Sequence, residues 1–290
     1  MIRIGLVSLS LVLAASAGAD AADPPNVAAT EATAPTSSAP PPPDAPTGSA
    51  ATLQYVFDGD SIEVELDGRT EEVRLIGINA PEGDECFGDE SREALIDLLG
   101  DGDLVLVSGS DADSDRYGRL LRYVYVAGDN TNGRTLADGN AVALPSDHDY
   151  NSAFVEIGDI AASAGYGMWA PDVCGPVAPA GATIVEVLYN PPGPDDEVLS
   201  SEYVTITNEG SASRDLAGWT LRDESSQNRY VFGAVTLAPG DGVTIKTGCG
   251  TERPGTLHWC SDRPIWSNSG DTVMLLDTHG NVADRWMYEE

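Results

Sequence analysis

Between Thr52 and Cys174, five runs, TLQYVF, SIEVEL, EEVRLIGI, LVLVSG and LLRYVYV, are rich in β-branched and aromatic side chains and bounded by Asp-Gly, Gly-Asp or Asn-Gly. Such runs with such turns read as short antiparallel strands. Between the third and the fourth lies ESREALIDLLG, apolar at helical spacing and stopped by Gly100. Two more helical candidates follow the fifth strand, around TLADGNAVAL and SAFVEIGDIAASAG. Five strands with helices inserted after the third and after the fifth predict a small, partly open β-barrel.

The chain has 290 residues, enough for about two domains. Residues 1–21 read as a secretory signal peptide: Arg3 gives a positive start, an apolar run covers Ile4 to Ala15, and small residues follow near Ala17 to Ala21. That run is too short to span a bilayer, so no transmembrane segment is expected after cleavage, and no cysteine follows closely enough to carry a lipid. Residues 22–51, rich in proline, alanine, serine and threonine, have almost nothing to bury and predict a disordered tether. Fully extended it would reach about 90 Å. The barrel is expected over residues 52–175. After CGPVAPAGAT, the runs TIVEVLY, EYVTITN, YVFGAVTL, GVTIKT and TVMLLD predict a β-sandwich over residues 183–290. The fold class expected is therefore mainly β, with two domains.

The formal net charge is -32, and Lys246 is the only lysine. That balance disfavours a cytoplasmic protein that binds nucleic acid through a basic surface. It suits an exported protein kept soluble in very salty water, where screening shortens to about 3 Å at 1 M; a GC-rich genome favouring arginine codons is the plainer account. The four cysteines, Cys86, Cys174, Cys249 and Cys260, are an even count in an exported chain and predict two disulfides, with three connectivities open.

Polar groups interrupt the barrel's apolar runs at particular places. Arg74 lies inside the third strand, and Asn79 and Glu82 bracket Pro81 at its end. Side chains alternate faces along a strand, so Arg74 and Asn79 share a site only if the strand ends or bends near Asn79. Pro81, which restricts Ala80 and cannot donate to a ladder, is the expected cause. Asp58-Gly59 is an ordinary hairpin turn, whereas Asp60 opens a strand and can join Asn79 and Glu82 as hard oxygen ligands. Arg119 precedes the fifth strand; converging with Arg74 it would grip a phosphate between two planar guanidinium groups.

These clusters, DGDS, VRLIGINAPE, DRYGRLL and GYGMW in that order, resemble the staphylococcal nuclease (thermonuclease-like) family from about Thr52 to Trp169. The resemblance implies a five-stranded OB-type barrel with three helices that hydrolyses phosphodiester bonds of DNA and RNA with Ca2+, cutting the 5′ P–O bond and leaving a 3′-phosphate. By position it assigns metal binding to Asp60, Asn79 and the backbone of Ala80, phosphate gripping to Arg74 and Arg119, activation of water to Glu82, and substrate contact to Tyr117. The family's second metal-binding aspartate is replaced here by Asn79, which keeps an oxygen and drops a charge. Secreted relatives pair cysteines where Cys86 and Cys174 stand, which leaves Cys249 with Cys260.

LAGWTLRD and WSNSGDTVMLLD resemble the lamin-tail domain, an immunoglobulin-like sandwich, over about Thr183 to Glu290. Its family role is binding or attachment, to a ligand that no residue here identifies. Trp219 and Trp266 are expected in its core. The combined expectation is a secreted or cell-surface nuclease. Its rivals are a protein that binds nucleic acid without cutting it, having lost activity through Asn79, and an adhesion protein whose lamin-tail half is the working part.

Overall fold

The computed structural model describes residues 47–109, 112–194, 197–225 and 227–289. The expected signal peptide, and the tether up to residue 46, lie outside the described residues. Strand β1 (Ser49–Val56) begins inside the segment read as tether. Its first three residues pair with Leu106, Val105 and Leu104, so the Ser-Ala-Ala end of a compositionally plain linker becomes part of the barrel.

β2 (Ser61–Leu66) and β3 (Arg69–Leu75) form a hairpin on the two-residue Asp67–Gly68 turn. β4 (Leu104–Val107) pairs antiparallel with β1 and with β5 (Leu120–Val126). A parallel ladder between β3 and β5, from Val73↔Leu120 to Leu75↔Arg122, closes the barrel. Its five strands leave no long free edge. Ile62, Val64, Val73, Leu75, Leu104 and Val124 fill the interior.

Helix α1 (Gly88–Leu99) packs Leu95 and Leu99 onto this core, and α3 (Asn151–Ala164) packs Phe154 and Val155. The middle helix differs from expectation. α2 covers Thr131–Ala137, capped by the Asn130 side chain, and ends before most of TLADGNAVAL. Val142–Ala143 instead pairs with Ile78–Asn79. Gly139 lies between, at φ +74, where an added Cβ would meet the Tyr166 carbonyl at 2.2 Å. The apolar periodicity there belongs to a packed turn and a short strand.

The second domain has two four-stranded sheets. One contains β6 (Ala182–Leu188), β7 (Tyr203–Asn208), β10 (Gly242–Lys246) and β11 (Thr256–His258). The other contains β8 (Thr220–Arg222), β9 (Arg229–Val231), β12 (Gly270–Leu276) and β13 (Val282–Glu289). Alternate residues such as Val204 and Ile206 point inward and meet Leu221, Val273 and Leu275. Trp219 and Trp266 are buried in that core. This is the immunoglobulin-like sandwich expected.

Both domains belong to one compact unit. Val142 and Met168 of the first share a buried apolar cluster with Met274 of the second. Cys86 is bonded to Cys174 and Cys249 to Cys260. Asn281 then accepts the Cys174 N–H at 2.9 Å, tying the first disulfide to the second domain. No helix among the described residues is long and apolar enough to cross a membrane.

Candidate active site at the barrel mouth

Strand register gathers the site. Ser61 faces Arg74 across the β2–β3 ladder, and Arg74 faces Leu121 across the parallel β3–β5 ladder. Asp60, Arg74 and Arg119 are thereby carried to one end of the barrel. The bend that brings Asn79 to Arg74 is not at Pro81. It falls at Gly77, with φ +75, where an added Cβ would come within 2.5 Å of the His148 ring. β3 stops at Leu75, the chain turns left-handed, and Ile78–Asn79 resumes as a short strand. Proline lacks a donor, but the close approach and positive φ at Gly77 decide the direction.

Arg74 Nη2 donates to Asn79 Oδ1 at 2.7 Å and lies 3.1 Å from Asp60 Oδ2. Its Nη1 donates to the Leu75 carbonyl at 2.9 Å, which fixes the plane of the guanidinium. Asp60 is buried, and its Oδ2 also accepts the Ala80 N–H at 2.6 Å. The Ser61 hydroxyl donates to Asp60 Oδ1 at 2.8 Å, and Arg119 Nη1 donates to the same hydroxyl at 3.2 Å. A continuous polar chain thus runs Arg119, Ser61, Asp60, Arg74, Asn79.

Arg119 is oriented by a residue that motif reading passed over. Asp115 accepts both its Nε, at 2.7 Å, and its backbone N–H, at 3.0 Å. Burial works to raise the Asp115 pKa, but hydrogen bonds from the Arg119 side chain and backbone and from the Tyr117 N–H prevail and hold it below the ordinary value. Tyr117 is exposed, with the guanidinium groups of Arg116 and Arg119 4.8 and 5.6 Å from its ring centroid. Hydrogen bonds from the Arg116 and Gln227 side chains lower its pKa. Glu82 is exposed on the loop after the short strand, its N–H donating to Glu85 Oε2 at 3.1 Å.

The oxygens present fit a hard divalent cation. Asp60 Oδ2 and Asn79 Oδ1 converge on one guanidinium nitrogen, so they lie close to each other. Asp58 accepts the Asp60 N–H at 2.9 Å, and its pKa is pushed up to about 7 by burial first and by the Asp60 carboxylate second. Two crowded carboxylates beside an amide oxygen and the Ala80 peptide are a setting in which added positive charge is favourable.

The second domain also reaches this site. Asn79 Nδ2 donates to the Glu224 carbonyl at 2.6 Å. Arg222 Nη1 lies 2.5 Å from Glu85 Oε1, and Arg229 pairs with the same carboxylate. Asp223, Glu224 and Asp271 place carboxylate oxygens within 4.8 Å of one another next to Arg222. Burial, and then Glu224, raise the pKa of Asp223 to about 7, while Arg222 opposes the rise. One sequence could not reveal these contacts, since the partners are over a hundred positions apart; the only signal was a basic–acidic pair, Arg222-Asp223, at the end of an apolar strand.

Residues 72–171 match the family model described as Staphylococcal nuclease homologue, and residues 177–290 match the one described as Lamin Tail Domain. The chain is 38% identical over 90 residues to a micrococcal nuclease of Shigella flexneri, covering 31% of this chain and 50% of that protein. It is 33% identical over 96 residues to the endonuclease YncB of Bacillus subtilis, covering 31% and 46%. With an uncharacterized endonuclease of Haemophilus influenzae it shares 29% over 126 residues, covering 43% and 67%. The chain spans half or less of the length of the first curated relatives it matches.

Proposed function

The chain carries a staphylococcal nuclease homologue domain followed by a lamin tail domain, and from that premise we propose that it is a secreted, calcium-dependent nuclease acting on DNA, RNA or both. The boundaries proposed are a signal peptide at 1–21, a tether at 22–51, the nuclease barrel at 52–175 and the lamin-tail sandwich at 183–290. The observation that carries the reading is the chain from Arg119 through Ser61 and Asp60 to Arg74 and Asn79, which sets two arginines on either side of a buried carboxylate.

A phosphodiester is attacked by water while negative charge gathers on its non-bridging oxygens. Arg74 and Arg119, already oriented by Leu75, Asp60 and Asp115, offer N–H groups to that charge without reorganising at the moment of reaction. Glu82, on the exposed loop beyond Pro81, takes the proton as the water oxygen bonds to phosphorus. The 5′ oxygen leaves and is protonated, so the products are a 3′-phosphate and a 5′-hydroxyl. Asp60, Asn79 and the Ala80 backbone are the residues that would hold calcium, which when bound supplies a Lewis acid and a template for phosphate and water. Tyr117, between Arg116 and Arg119, would lie along the substrate. The disulfide from Cys86 to Cys174 anchors the loop that follows Glu82.

The test is incubation of the purified protein with DNA and with RNA, with calcium or a chelator, at low and at molar salt. Calcium-dependent cleavage yielding 3′-phosphate ends supports the reading. Binding without cleavage in every condition moves it to a non-catalytic nucleic-acid protein.

A further inference from the structure

The proposed site does not end at the barrel. The segment from Arg222 to Ser225, which leaves strand β8, meets the barrel's mouth at two separate places. The Glu224 carbonyl accepts the Asn79 amide N–H at 2.6 Å. Arg222 pairs at 2.5 Å with Glu85, three residues after Glu82, and their side chains are only 4% and 9% exposed. Behind these contacts, Val142, Met168 and Met274 form a shared buried cluster.

A module that merely attaches its neighbour to something else has no need of a buried cross-domain ion pair, because such a pair is costly unless its geometry is well satisfied. The residue at position 79 is informative too. Its oxygen faces the Arg74 donor and its nitrogen faces the Glu224 acceptor. Only a carboxamide serves both; an aspartate would set a second acceptor against the carbonyl. The asparagine therefore matches the docked second domain as well as the barrel.

We propose that the segment from Arg222 to Ser225 is a wall of the nuclease site, and that Arg222 is a positioning residue for catalysis. Arg222 holds the loop that bears Glu82 through Glu85 and keeps the Glu224 carbonyl on Asn79, so the amide oxygen stays on Arg74 beside Asp60. The lamin tail domain is then part of the catalytic unit. This inference rests on the nuclease reading above and assigns its site a second contributing domain.

The experiment uses the full chain and two measurements. The Asn79 side-chain amide, assigned by its loss in Asn79→Asp, is followed by NMR hydrogen exchange; it is protected in the wild type and exchanges at least about tenfold faster in Arg222→Met/Glu85→Gln, which removes both charges together. On an oligonucleotide substrate, kcat falls at least about fivefold in that double variant. KM stays within about twofold of the wild type. A purely structural role would lower Tm and leave kcat alone. An unprotected Asn79 amide in the wild type overturns the docking, whether or not the protein cuts nucleic acid. Unchanged kcat in the folded double variant overturns the positioning role. A protected amide in a wild type with no nuclease activity overturns the nuclease reading, and the positioning role with it, while the docking contact remains measured.

Discussion

Arg74 Nη2 lies 2.7 Å from Asn79 Oδ1, so the amide that replaces a carboxylate of the family pattern still meets the site's central guanidinium through oxygen. What it lacks is charge. Calcium affinity follows ligand charge count and site rigidity. Asn79→Asp is expected to tighten calcium binding at least about tenfold, or about 1.4 kcal/mol, even though it gives up the Glu224 contact. Calorimetric titration with calcium checks this, and equal or weaker binding in the variant removes Asn79 from the proposed ligand set.

In the proposed mechanism Arg119 and Glu82 have separate roles, and they are expected to show comparable losses. Arg119→Ala removes a preorganised donor and Glu82→Gln removes the proton acceptor, and each is expected to lower turnover at least about 10²-fold. Asp115→Asn is the finer probe, since it loosens Arg119 without deleting it; a drop of about tenfold in kcat is expected. Turnover unchanged in folded Arg119→Ala would take that arginine out of the mechanism.

How much of this was legible in the sequence depends on the range of each interaction. Five barrel strands declared themselves through local alternation, and Asp60, Arg74 and Arg119 stood out as polar groups at the ends of apolar runs. Ser49 to Ala51 did not, because small residues gain their strand character only from β4 alongside. TLADGNAVAL misled for the opposite reason: a helical-looking period was overridden by tertiary pairing of Val142–Ala143 with Ile78–Asn79. Pro81 drew attention as a breaker while Gly77, whose constraint is the His148 ring, did the bending. The contacts of Arg222 and Glu224 with the barrel are set by docking of two domains, and no local pattern encodes that.

The Cys86–Cys174 disulfide closes a separation of 88 residues. In the chain-entropy account such a loop restricts the unfolded chain by about 4 kcal/mol. Replacing both cysteines by serine is expected to lower Tm by roughly 10 °C, and reductant should do the same to the wild type. Since the bond also anchors the loop beyond Glu82, kcat should fall below the unfolding range as well. Differential scanning calorimetry with and without reductant decides it; coincident transitions would mean that the bond does not restrict the unfolded chain as that account requires.

His148, whose ring packs against Gly77, gives a pH signature in stability. Its Nδ1 lies 2.7 Å from the Tyr123 hydroxyl, and Phe154 packs against its ring. Burial pulls its pKa below the ordinary 6.5, with Asp149, the Leu144 backbone and Asp147 opposing. The unfolded chain therefore takes up a proton at higher pH than the folded one, so stability rises with pH across that interval. The contribution is complete above about 6.5 and is lost as pH falls through the lowered folded value. Comparing Tm at pH 7.5 and at 5.5, the wild type is expected to lose more than His148→Gln. Equal losses would mean that the imidazole stays neutral in both states or charges equally in both.

Salt dependence separates this chain from an ordinary nucleic-acid protein. Binding through cationic side chains normally weakens as salt rises, because each released counterion gains less entropy in a concentrated solution. Here, though, 26 acidic residues stand against 7 arginines between Ala51 and Gly175, so the long-range field repels a polyanion. Arg74 and Arg119 act at contact distance from partly buried positions, with side-chain exposures of 12% and 27%. Raising salt from 0.1 M to 1 M shortens the screening length from about 10 Å to about 3 Å. The distant repulsion is suppressed more than the contact attraction, and kcat/KM on a short oligonucleotide is expected to rise or hold over that range. The proportion of acid to base predicts a larger gain for a longer substrate, which meets more of the repelling surface. A steady fall from 0.1 M upward, for short and long substrates alike, would show that the contact arginines dominate and that the acidic surface has no part in substrate capture.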